Sequence, residues 1–133
     1  RSYMALYNHL NLPGEIGRIV KDYKAKFNDD MYTGAVYHAF AMLDTAFTKT
    51  KSTEPVKVAA ALEGLKFTSF NGEVEMRKTD HQLQQGLFIS KWEKAGGKYP
   101  NDAENTGYTF VPVKYYEPYV ASTPTSCQMK RPS

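Results

Sequence analysis

The chain has 133 residues, 41% of them apolar and 23% charged. That length can bury a core, and that composition excludes disordered and fibrous classes. A formal charge of +3, from 17 Lys and Arg against 14 Asp and Glu, is too small and too scattered to argue for nucleic acid.

No run of about 18 apolar residues encodes a transmembrane helix, and no secretory leader is legible. The opening at Arg1 rather than Met reads as that of a processed product or a fragment. The single Cys127 excludes an internal disulfide and a multi-cysteine metal site. Tyrosine is abundant, with 10 copies against one Trp, and suits half-buried places where a ring is covered and a hydroxyl stays wet.

Residues 3–10 (YMALYNHL) read as a strand, followed by a turn at Asn11-Leu12-Pro13-Gly14. Ile16, Ile19, Val20, Tyr23 and Phe27 form the stripe of an amphipathic helix over 15–27, with Lys21, Lys24 and Lys26 off it. Asn28-Asp29-Asp30 stops that helix, and the two acids read as a solvated loop pair. A second helix is expected over about 33–50. Val36, Phe40, Leu43 and Phe47 line one face, and alanines cover much of the rest, so a central position is expected. Thr53 and Pro55 signal a third helix to about Glu63, closed by Gly64 as a left-handed terminator.

Beyond it the period changes to two. Val74 and Met76 alternate with charged residues after the Asn71-Gly72 turn. Lys78-Thr79-Asp80 is a second turn, and residues 83–92 read as the next strand. Residues 100–107 are a loop, and 108–116 a further short strand interrupted by Pro112. Residues 1–122 are expected to form a partial domain and 123–133 an extended tail. Strands so few need further sheet from elsewhere, so self-association through strand edges is expected.

No phosphate-binding loop, dinucleotide fingerprint, zinc-protease motif or serine elbow is present. His9, His38 and His81 lack ligand spacing, so no metal or cofactor is expected. His38, on an apolar helix, reads as a structural imidazole. Asp80-His81-Gln82 reads as turn chemistry: Asp80 bonds backbone, and His81 and Gln82 satisfy strand ends. No nucleophile lies beside a base, which argues against a hydrolase or transferase.

Four segments carry a family resemblance: Tyr37-His38-Ala39 within 35–47, residues 58–64 (VAAALEG), residues 72–82 ending in Arg-x-x-Asp-His-Gln, and the closing Cys127-Gln128-Met129-Lys130-Arg131-Pro132. Together they resemble the C-terminal part of type I periplasmic binding proteins, the branched-chain amino acid receptor branch of ABC transporters. The resemblance runs from about residue 3 to 131. It implies an α/β fold that is a fragment of a bilobal receptor, with three helices followed by two to three strands.

The resemblance places the helices at 15–27, 33–50 and 54–63 in one lobe. It puts crossings between lobes near 3–9 and 70–76, and a return to the second lobe at 87–92. It implies a solute-binding component of an ABC importer, not an enzyme, located in the periplasm. The partners it implies are a membrane permease and a branched-chain or other amino acid, or a related small carboxylate. By family placement the cleft position before the second helix falls at Gly34, flanked by Tyr32 and Thr33, with Tyr37 one turn on. Glycine there removes a wall and leaves room for a bulkier or aromatic ligand. His38 stands where the family commonly has an acid. A ligand-sensing regulatory module of the same fold is the alternative reading.

Overall fold

The computed structural model describes the backbone of residues 3–5 and residues 9–132. Among the described residues six strands and three helices follow in the order β1 (Tyr3–Ala5), α1 (Gly14–Phe27), α2 (Gly34–Thr50), α3 (Pro55–Leu62), β2 (Lys66–Ser69), β3 (Gly72–Met76), β4 (Leu83–Gln84), β5 (Leu87–Lys94) and β6 (Tyr108–Tyr116). A short 3-10 turn, Pro118–Ala121, follows. The chain is an α/β fragment with two separate antiparallel sheets, ordered β1-β5-β6 and β2-β3-β4. None of its helices, among the described residues, is long and apolar enough to cross a membrane.

The chain divides into two compact units, Arg1–Tyr32 with Leu87–Tyr116, and Thr33–Gly86 with Glu117–Ser133. It therefore passes between them three times, at 32/33, 86/87 and 116/117. The expectation that all three helices share a lobe differs from this grouping. α1 belongs with β5 and β6, while α2 and α3 belong with the other sheet.

In the first unit, of the strand expected over 3–10, Tyr3–Ala5 form β1, residues 6–8 lie outside the described residues, and Leu10-Asn11 turn. α1 buries Ile16, Gly17 and Val20, but Phe27 at the end of its stripe is exposed beside Tyr23 and Lys26. Asn28 ends the helix in the left-handed conformation and donates its N–H to the Lys24 carbonyl. Leu10, Ala103 and Phe110 form the core, with Trp92 packed on them.

β6 is continuous through Pro112. Its register with β5 slips between Ile89 and Ser90, so that Val113 is the extra residue of a bulge. The irregularity tolerates a residue that has no N–H to donate. The loop at 100–107 is pinned by a reciprocal amide pair. Asn101 N–H donates to Asn11 Oδ1 (2.9 Å), and Asn11 Nδ2 donates to the Asn101 carbonyl (3.0 Å).

In the second unit α3 starts as its Pro55 predicts, but the cap is Glu54 rather than Thr53. Both Glu54 carboxylate oxygens accept backbone N–H groups, from Val56 and Lys57. Those bonds favour the charged form and hold the carboxyl below its ordinary range. Gly64 ends the helix at φ +71°, and its N–H crosses to the Met76 carbonyl. Ala46, Val58 and Ala61 form the α2–α3 seam, with Leu43 and Leu62 packed against it.

The strand β2 was not among the expected elements. It pairs Ser69 with Gly72 across a two-residue turn, Phe70-Asn71. The outer stripe of α2 is not central as expected. Among the described residues none covers Val36, Phe40 and Phe47, which are exposed, Phe40 by 70%.

Candidate functional site

The start of α2 carries the expected binding residues. Tyr32 closes the first unit, and Thr33, Gly34 and Tyr37 open the second, so the first chain passage runs through them. Thr33 is the residue before the helix. Its carbonyl accepts the N–H groups of Val36 (3.0 Å) and Tyr37 (3.1 Å), and its side chain makes no cap. Gly34 is the buried first residue of α2. Tyr32 meets the His9 ring edge-on at 5.1 Å. Burial pushes its phenol up to about 12, assisted by the negative charges of Glu104, Asp30 and Asp29.

Within the second unit the tip of the β2–β3 hairpin is buried, although turn residues ordinarily face water. Phe70 is 1% exposed, its ring edge-on to Tyr37 at 5.2 Å and tilted against His38 at 6.0 Å. Phe67 adds an edge contact to His38 at 5.7 Å. Asn71 is buried beside it and donates to Gln85 Oε1 (3.2 Å). Of this set only Tyr37 was among the expected binding residues, and the turn expected at Asn71-Gly72 falls one residue earlier, at Phe70-Asn71.

His38 is structural, as its sequence context suggested, and its setting decides its protonation. It is 5% exposed, with Nε2 against Ser69 Oγ. Ser69 Oγ also accepts the Phe70 N–H (2.6 Å). Burial in an aromatic setting lowers the His38 pKa, which favours the neutral imidazole.

Asp29-Asp30 was expected to be solvated. Asp30 is instead 3% exposed, paired with Lys24 Nζ at 2.9 Å and accepting the Glu104 N–H. A buried carboxylate needs such partners. An open cavity of about 370 Å³ in the first unit is lined by Leu10, Val20, Lys24, Asp30, Asp102 and Asn105. Lys24 Nζ also lies 3.9 Å from Asp102 Oδ1 and reaches the Asp102 carbonyl at 3.4 Å.

The Arg77–Gln82 turn is structural, with altered partners. Arg77 holds Asp80 (Nε–Oδ1 3.0 Å) and Gln82 Oε1 (3.0 Å), and Asp80 accepts the Gln82 N–H (3.1 Å). The Arg77 guanidinium pulls the Asp80 carboxyl down to about 2. His81 bonds Glu63 Oε1 (3.1 Å) rather than a strand end. Among the described residues no group of three or more His, Cys, Asp or Glu is placed to hold a metal ion.

Three solved structures share this fold. The chain matches a leucine-, isoleucine-, valine-, threonine- and alanine-binding protein from Brucella ovis, in a closed conformation, at 23% identity and TM-score 0.79. That match covers 98% of this chain and 35% of that one. An ABC-type branched-chain amino acid transporter protein from Rhodopseudomonas palustris CGA009 matches at 24% identity and TM-score 0.71, covering 92% and 32%. A solute-binding protein of an ABC transporter from Rhodopseudomonas palustris BisB5, in complex with 3,4-dihydroxybenzoic acid, matches at 18% and 0.71, covering 86% and 30%. The chain thus spans about a third of the length of these relatives. No curated protein matches it in sequence. The sequence model described as periplasmic binding protein matches residues 2–98. Over most of its length, therefore, the chain belongs to the periplasmic binding protein family.

Proposed function

We propose that this chain acts as part of a solute-binding component of an ABC importer, holding a small molecule between two lobes without transforming it. The observation that carries this reading is the division into two compact units joined by three chain passages. Such a build suits hinge closure around a ligand. Family membership supports it, because the relatives named above are substrate-binding proteins.

The ligand class is an amino acid, branched-chain ones included, or a related small carboxylate, aromatic acids among them. Tyr32, Thr33, Gly34 and Tyr37 are the residues proposed to meet it. Gly34 supplies no side-chain wall, and Tyr37, backed by the buried Phe70, supplies ring surface nearby. The setting is the periplasm and the partner a membrane permease. Self-association of the chain through its unpaired strand edges belongs to the same reading, and sedimentation at high concentration reads it.

Calorimetry of the 133-residue chain with leucine, valine and 3,4-dihydroxybenzoate tests the reading. This chain spans about a third of its relatives, so affinity weaker than about 1 mM is expected. Micromolar binding by the chain alone would overturn it, since the pocket would then be complete without a larger receptor.

A further inference from the structure

Two motifs are left over from solute binding, the Arg77–Gln82 turn and the closing CQMKRP segment, and they meet. Residues 122–132 have no regular secondary structure, yet they are tied down at both ends. At the near end Arg77 donates to Ser122 Oγ (3.1 Å) and to the Thr123 carbonyl (2.7 Å). Thr125 bonds Asp80. At the far end Arg131 Nε donates to Glu63 Oε1 (2.6 Å), and its second nitrogen donates to the Lys78 carbonyl. Glu63 Oε1 also meets His81, whose backbone sits at φ +55°, a conformation that a non-glycine residue adopts at a cost. Between the ties Ser122, Thr125 and Met129 are half-buried.

The place of this clasp gives it a consequence. The turn it grips feeds β4, a two-residue strand that leads directly to the passage at 86/87. The 3-10 turn that follows the passage at 116/117 packs on β4. We propose that residues 122–132 are a salt-sensitive latch, clamping the second-unit ends of two of the three chain passages. The latch goes beyond the solute-binding reading and stands whether or not this chain takes a ligand. Its outer tie is an arginine 51% exposed at the side chain, so salt competes with it. Its inner ties are made by Arg77, which is more covered, 13% exposed at the side chain. The far end therefore opens first.

Hydrogen exchange on the full chain tests the latch, comparing the wild type with Arg131→Gln, Glu63→Gln and the double variant. In Arg131→Gln the amides of Arg77, His81 and Gln82 are expected to exchange about tenfold faster, the ratio that one charge-assisted hydrogen bond supports. Amides of α2 around Ala46 keep their rates. Glu63→Gln has at least as large an effect because it also frees His81, and the double variant adds nothing to it. Raising salt from about 0.1 to about 1 M speeds the turn amides of the wild type and leaves those of Arg131→Gln unchanged. Arg131→Lys, which keeps the charge without the fork, falls between. Unchanged turn amides in Arg131→Gln would overturn the latch. So would α2 amides rising together with the turn, or full additivity in the double variant.

Discussion

The two units bury different things. The first fastens its loops with polar groups far apart in sequence, the Asn11–Asn101 pair and the Lys24–Asp30–Glu104 chain, around Leu10, Ala103, Phe110 and Trp92. Its cavity is charged, with Lys24 paired to Asp30. The second relies on rings around a neutral imidazole and on a small-residue helix seam. It also leaves the Val36–Phe40–Phe47 stripe in water. Both units leave apolar side chains exposed, Phe27, Leu87 and Val113 in the first and the α2 stripe in the second, which suits the proposal that the chain works within a larger receptor.

Substitutions in the two cores should separate the units most sharply. Phe70→Ala removes the most buried ring of the second unit and is expected to cost about 3–5 kcal/mol. Gly17→Ala acts on the first unit, where a Cβ would lie 1.9 Å from the Leu12 carbonyl oxygen. Backbone cannot give way cheaply, so about 1–3 kcal/mol is expected. Trp92, the only tryptophan, reports the first unit. Thermal unfolding followed by its fluorescence should drop in temperature for Gly17→Ala and shift less for Phe70→Ala, whose loss shows in circular dichroism. Equal shifts of both signals in both variants would show that the units do not unfold separately.

A smaller effect comes from pH. The folded second unit holds His38 below its ordinary value of about 6.5, so the unfolded chain takes up a proton that the folded one resists. The stability of that unit is full above about pH 6.5 and falls as pH drops below it. His38→Gln should flatten this slope, and the Trp92 signal should lack it. A slope that survives in His38→Gln would assign the titration to another group.

The helices were legible because each carries its own periodic stripe and stop signals, down to Gly64 and Asn28. What depends on distant partners was not. Asp30 looked solvated because Glu104, whose N–H it accepts, lies 74 residues away. The His38–Ser69 contact joins positions 31 apart, and β2 has too few residues to show a period of its own. Pro112 suggested an interruption, whereas a bulge absorbs it. The α2 stripe was read as core because sequence reveals that a face is apolar, not whether this chain contains its cover. The proposed binding residues lie close together, within 32–37, and came from family resemblance. The rings that surround Tyr37 became apparent only once the hairpin tip was seen to be buried.

The most direct measurement is an amide chemical-shift map of the chain, titrated with leucine and with 3,4-dihydroxybenzoate. The account predicts small, unsaturated shifts confined to Tyr32, Thr33, Gly34, Tyr37 and the Phe70-Asn71 tip, with none at Lys24 or Asp102. Shifts centred on the first-unit cavity, or none anywhere with either ligand, would contradict it.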